Sequence, residues 1–234
     1  MSSADKRPMP RLFLIRHGET EWSLNGRHTG RTDIPLTARG IEQIKEKAQI
    51  LVGEGKVLDA TNLCTVLVSP RQRAHKTFHL LFEHVTPPPH MVTETVREWD
   101  YGEYEGLKPA EIKQRKPDFN IWTDGCPGGE SVEQMCARVD DVIKTASAIP
   151  TLPIIYYVRT YHTEYFHEGM NTRDVMIVAH GHFSRCLIAR WLGMPLAFGT
   201  KLNVEPGGIA VLSYNHHRLE EPSINALNLY ATVI

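Results

Sequence analysis

The chain has 234 residues, 41% of them apolar and 23% charged, with 26 basic against 27 acidic side chains and a formal net charge of -1. That length sits at the upper end of what one hydrophobic core supports, and the near-neutral balance excludes a general field drawing in nucleic acid or an anionic membrane. Any affinity for anions must come from local clustering.

The opening segment MSSADKRPMP is polar and punctuated by proline, without the apolar stretch of a signal peptide. Residues 1–10 are expected to be disordered, with one domain over 11–234. Nothing later approaches the roughly 18 apolar residues of a membrane span, so the expected location is the cytoplasm, with the nucleus as a further compartment.

In chain order, Leu12 to Ile15 reads as a short buried strand. Ile41, Ile44, Ala48, Leu51 and Val52 then share one helical face, after Thr37 as N-cap and before a Gly53-Glu54-Gly55 stop. The run from Glu42 to Lys47 reads as a solvated face of that helix. Leu63 to Val68 is the second strand. Residues 95–130 are rich in glycine, aromatics and charge, and are expected to rise over the sheet as loops or short helices. Ser131 and Gln134 have capping-box spacing, leading into Val132, Met135, Val139, Val142, Ile143 and Ala146 on one face. Residues 150–172 are aromatic and histidine-rich without clear period, and are likewise expected to rise over the sheet as loops or short helices. There Tyr161, His162, Tyr165, Phe166 and His167 either wall a substrate or pack on themselves as a flap. Val175 to Ala179 is the third strand, Phe183 to Leu192 a helix stopped by Gly193, and Ile209 to Tyr214 the fourth strand. His216 and His217, after it, read as solvated or packed. The four cysteines form no C-x-x-C pair and fit free thiols in a reducing compartment. Strands alternating with helices imply an α/β fold, a mainly parallel central sheet with helices on both faces.

In such sheets ligands bind beyond the carboxyl ends of the strands. The first strand runs into Arg16-His17-Gly18-Glu19-Thr20, the second into Ser69-Pro70-Arg71-Gln72-Arg73, and the third into His180-Gly181-His182. If these strands are parallel neighbours, their histidines and arginines converge, which suits phosphoryl transfer. Arg16 and Arg73 can clamp phosphate oxygens with planar forks of donors. His17 can attack phosphorus with one ring nitrogen while the other donates to a carbonyl that fixes the tautomer. Gly18 would allow close backbone approach, and His180 would donate to the phosphoryl oxygens. Glu98, beside Trp99, is the carboxyl placed to protonate the leaving alkoxide. His180 and His182 also have the spacing of a metal-ligand pair. No third ligand has convincing spacing, however, and the arginines would repel a cation, so neither metal nor cofactor is expected.

These residues resemble the signature of the histidine phosphatase superfamily, also called phosphoglycerate-mutase-like. The likeness runs from Leu14-Ile15-Arg16-His17-Gly18-Glu19-Thr20 through Trp22, Thr29-Gly30, Asp33, Pro35-Leu36-Thr37 and Gly40. It continues through Ser69-Pro70 with Arg73-Ala74, Glu98 with Tyr101-Gly102, and His180-Gly181-His182. The resemblance implies a phosphoglycerate-mutase-like fold and a phosphohistidine on His17. It further implies a phosphate pocket completed by Arg16, Arg73 and His180, and Glu98 as the acid. It sets Arg16, Ser23, Thr29, Gly30, Arg73, Tyr101, His180 and His182 around a small phosphorylated substrate. Ser23 stands where mutases usually carry an asparagine, and their long basic, proline-rich insertion is absent.

The stretches at 97–106, 120–131 and 207–228 are similar to the fungal sedoheptulose-1,7-bisphosphatase branch, whereas 150–172 looks added and the link from Trp191 to Gly207 looks shortened. The implied activity is hydrolysis of sugar phosphates, with sedoheptulose 1,7-bisphosphate foremost. A broad phosphomonoesterase or fructose bisphosphatase is the alternative, ahead of a mutase or a non-catalytic phospho-ligand module.

Overall fold

Leu12 and Leu14 pack on one side of the first strand and Phe13 and Ile15 on the other, all four fully buried. The same alternation recurs in the neighbouring strands, because successive side chains of a pleated strand point to opposite faces. In this computed structural model, which describes residues 8–144, 158–168 and 172–229, these runs form the centre of one six-stranded sheet. The strands are β1 (Leu12–Arg16), β2 (Leu63–Val68), β3 (Met91–Val92), β4 (Asp174–Ala179), β5 (Ile209–Tyr214) and β6 (Pro222–Leu229). Their order is β3-β2-β4-β1-β5-β6. The pairs β2/β3, β2/β4 and β1/β4 are parallel, whereas β5 runs antiparallel to both β1 and β6.

A sheet apolar on both faces must be covered on both. On one side lie α2 (Ala38–Leu51) and α3 (Gln72–Leu81), whose Ile44, Ala48, Ala74 and Phe78 pack with Phe13, Ile15 and Val178. On the other lie α6 (Val132–Ile143), α7 (Val158–Glu168) and α8 (Gly181–Trp191), whose Met135, Val139, Phe183 and Leu187 pack with Leu12, Leu14 and Ile177. Thr37 caps α2 by accepting the Gly40 N–H, and Ser131 with Gln134 forms the expected capping box of α6. The short helices α1 (Glu21–Asn25), α4 (Pro109–Arg115) and α5 (Ile121–Asp124) lie in the irregular segments.

Two expectations are corrected here. Lys47 does not belong to a solvated face: it is buried, and its ammonium donates to the Gly207 carbonyl at 3.2 Å. Nor do the described residues of 150–172 rise over the strand ends as a substrate wall. His162 is fully buried with Nδ1 2.8 Å from the Tyr214 hydroxyl, and its ring meets Trp191 edge-on. Because Leu212 pairs with Leu12 across antiparallel strands, Tyr214 lies beyond the amino end of β1, opposite the end that carries Arg16. Tyr161, half-buried, packs against the same core. Residues 1–7, Ala146, most of the remainder of 150–172, and the side chains of Tyr165, Phe166 and His167 lie outside the description. Among the described residues, no helix is long and apolar enough to cross a membrane.

Candidate active site

Arg16 ends β1 directly beside Ala179 at the end of β4, and the chain beyond is held in the same register: the His17 N–H donates to the Ala179 carbonyl at 3.0 Å. On the other side of β4, the Ser69 N–H donates to the Val178 carbonyl at 3.0 Å. Three strand-to-helix junctions therefore meet at one edge. They bring together His17 after β1, Ser69 and Arg73 after β2, and His180 after β4.

The His17 ring is nearly buried, with Nδ1 2.7 Å from the Gly18 carbonyl oxygen. That contact makes Nδ1 the protonated nitrogen and leaves Nε2 its lone pair. Burial, then the charges of Arg73 and Arg16, hold the imidazole well below its ordinary pKa, so it is neutral at pH 7. The His180 ring stands 5.2 Å from that of His17, and its Nε2 lies 2.7 Å from the Ser69 hydroxyl. Burial and Arg73 keep it neutral as well.

The arginines are placed less freely than a surface clamp. Arg73 is fully buried, with Nη1 donating to the Thr32 carbonyl and Nη2 to those of Thr29 and Gly30. Arg16 Nη1 donates to the Val204 carbonyl at 2.6 Å. What remains is informative: Arg16 Nε, Arg73 Nε and His180 Nδ1 are buried without a hydrogen-bond partner. Buried polar atoms without partners cost free energy unless a ligand completes them. An oxyanion beside His17 has the chemistry to do so.

Glu98 reaches the same edge from the irregular segment above the sheet. Its Oε1 accepts the N–H of Trp99 at 2.9 Å and of Phe183 at 2.8 Å, and its Oε2 accepts that of His182 at 3.0 Å. Two of these donors belong to the first turn of α8, where backbone N–H groups lack helical partners. Oε2, with one partner against two, is the oxygen with room for a proton. Next to it, the Tyr101 hydroxyl lies 2.8 Å from His182 Nδ1.

A pocket of about 430 Å³ opens on this cluster, lined by Arg16, His17, Ser23, Thr29, Glu98, Tyr101 and His182 among the expected residues. Gly30 is not in it. Its N–H is held by the Glu105 carboxylate at 3.0 Å, its carbonyl by Arg73, and an added Cβ would stand 2.6 Å from the Trp99 carbonyl, so it braces the loop. Gly18 likewise answers to packing, since a Cβ there would meet Ile44 at 3.0 Å. Arg73 and His180 lie beneath the lining, and Trp99 is core, with its indole N–H donating to the Glu130 carbonyl. Asp33, which accepts the Gln72 N–H, and Glu19, which accepts the Thr37 hydroxyl, tie loops of the site to α3 and α2.

Sequence reasoning missed Trp22, Arg27, His28, Lys113, Trp122, Arg185 and Asn203 in the lining. Arg185 was legible, because it lies three residues after His182 and therefore on the same face of α8. Its guanidinium stacks 4.7 Å from the Trp122 ring centre, and its Nε donates to the Gly199 carbonyl. His28, with Nδ1 3.0 Å from the Leu107 carbonyl and its ring edge-on to Tyr101, had no such periodic signal.

The sequence model of the histidine phosphatase superfamily (branch 1) matches residues 12–227. An acid phosphatase of Mycobacterium tuberculosis is 39% identical over 206 residues, covering 88% of this chain and 87% of the relative. The sedoheptulose 1,7-bisphosphatase of Saccharomyces cerevisiae is 30% identical over 260 residues, covering 92% and 91%. The solved structure of the Rv3214 product of M. tuberculosis superposes with a TM-score of 0.72 at 36% identity, covering 95% of this chain and 98% of that one.

Proposed function

Because this chain belongs to the histidine phosphatase superfamily, branch 1, we propose that it hydrolyses sugar phosphates through a phosphohistidine on His17. The observation that carries this reading is the group of partnerless buried nitrogens on Arg16, Arg73 and His180 around a neutral imidazole. Nε2 of His17 attacks phosphorus as the bond to the sugar oxygen breaks, and Glu98 gives that oxygen its proton, so the alcohol leaves neutral. Water then attacks the phosphohistidine. Glu98 takes a proton from it, inorganic phosphate departs, and both side chains return to their starting states. The arginines and His180 meet the charge on the equatorial oxygens.

No metal takes part in this reading, since two guanidinium groups supply the charge that a cation would bring. Dialysis against a chelator is expected to leave turnover intact, and activity that vanishes and returns with magnesium would overturn that part.

The finer reading is a bisphosphate substrate, with sedoheptulose 1,7-bisphosphate foremost. It is supported by the yeast relative, by sequence likeness at 97–106, 120–131 and 207–228, and by Arg27, Lys113 and Arg185, cations in the pocket lining beyond Arg16. A broad small-molecule phosphatase is the second reading, favoured by the mycobacterial relative of higher identity. Phosphate release across seven-, six- and three-carbon sugar phosphates separates them. A kcat/KM for sedoheptulose 1,7-bisphosphate no higher than for monophosphates would remove the first and leave the second.

A further inference from the structure

His75 and His79 are four residues apart on α3, so their imidazoles project from the same side of the helix. At 100° per residue that side is turned about 200° from the one carrying Arg73 and Thr77, away from the pocket. His90 arrives from the chain just before β3 and completes a triangle. The ring centres of His75 and His79 are 4.6 Å apart, with His90 at 5.9 Å from the first and 5.8 Å from the second. One ligating nitrogen from each ring lies within 4.8 Å of the other two. Neither a carbonyl nor a carboxylate among the described residues holds any of the three in a hydrogen bond.

We propose that His75, His79 and His90 form a binding site for a divalent transition-metal ion of the zinc class. Three imidazoles suit zinc, copper and nickel rather than magnesium or calcium, which take oxygen ligands. Tetrahedral bonds of about 2.0–2.1 Å set nitrogens roughly 3.4 Å apart. Closure therefore brings the nitrogens up to about 1.4 Å nearer by side-chain rotation. His79 and His90 are exposed and have that freedom, while His75 is half-buried and His90 is backed by Phe78, its ring centre 4.1 Å away. A fourth position stays open to water.

The bound ion joins α3 to the chain entering β3, the two-residue strand at the sheet edge. Its role is to staple that edge, and it takes no part in the chemistry at His17. The site stands whether or not the pocket hydrolyses sugar phosphates.

The test is calorimetric titration of the full chain with zinc alone, in wild type and in His79→Gln, His90→Gln and His182→Gln. The last addresses the pocket histidines as a competing sink. Loss of a second-sphere partner alone weakens metal sites about 10- to 100-fold, so losing a ligand is expected to weaken one zinc equivalent at least that much. His79→Gln and His90→Gln should each show that loss, together with loss of the zinc-induced rise in melting temperature. His182→Gln should keep both. Zinc affinity unchanged in His79→Gln and His90→Gln, or lost only in His182→Gln, overturns the site. Circular dichroism of the metal-free variants separates loss of a ligand from loss of fold.

Discussion

The Thr77 hydroxyl accepts the Gly18 N–H at 3.0 Å and donates to the Arg73 carbonyl at 2.7 Å. One buried side chain on α3 thus couples the loop that carries His17 to the turn that carries Arg73. Valine has nearly the same shape and neither polar group. Thr77→Val is expected to leave the Gly18 N–H buried and unpaired, costing about 1–3 kcal/mol of stability. Since the loop it releases bears the nucleophile, kcat should fall more than KM rises. Denaturant melts with steady-state kinetics check both, and an unchanged kcat in a destabilised variant would restrict Thr77 to folding.

His17 is the one imidazole of the cluster whose Nδ1 is held by its own loop, and it lines the pocket. His17→Ala is therefore expected to abolish phosphoenzyme formation, while the fold persists, since the apolar packing of this edge rests on Ile15 and Ile44. Rapid quench with labelled substrate should trap an acid-labile, base-stable adduct on the wild type. Label remaining on the variant would move the nucleophile elsewhere.

Much of this was legible because the central strands are apolar on both faces, and nothing but a covered sheet accommodates runs such as those of β1 and β4. The flanks were not. β3 has two residues, too few for any pattern, and β6 is half-buried along its length with register shifts against β5. α3 begins without a side-chain cap at Arg71, so the usual start signal is absent. In the site, the residues following the strands could be read because topology dictates where strand ends gather. Gly30 could not, since its role depends on Glu105, 75 residues away. Lys47 reads as one more charged residue on a helix until Gly207 meets it from across the chain.

His162 sits far from the pocket, and burial pushes its pKa down to about 3. Unfolded, it titrates near 6.5. Between these values the unfolded chain binds a proton that the folded chain does not, so this residue makes stability rise with pH over the window. Its contribution is lost progressively as pH falls below about 6.5, by up to about 1.4 kcal/mol per pH unit. His162→Gln removes the titrating group. Although the variant should be less stable at pH 7, its stability should fall less steeply between pH 6 and pH 4 than that of wild type. Equal slopes in denaturant melts would mean that the ring protonates without unfolding the protein.

Glu98 can be tested through the leaving group. A sugar alkoxide is a strong base and departs poorly unless protonated as the bond breaks, whereas nitrophenolate is a weak base and needs little help. Oε1 accepts two backbone N–H groups and Oε2 one, so Oε2 is the oxygen with the freer lone pairs for proton transfer. General acid catalysis contributes about 100- to 10,000-fold, and Glu98→Gln should lose on that order in the first step against a sugar phosphate. Glutamine keeps one carbonyl acceptor, enough for the Phe183 N–H though not also for that of His182, so the helix start is disturbed less than by alanine. Against p-nitrophenyl phosphate the first-step loss should be much smaller. The second step uses Glu98 as a base toward water and slows equally for both substrates, so the comparison belongs to single-turnover burst rates. Arg73→Ala serves as the control, since it harms the shared phosphoryl group and should depress both substrates alike. Equal burst-rate losses for the two leaving groups in Glu98→Gln would show that another group donates the proton. Asp100 and Glu103, on the same segment, would be tested next.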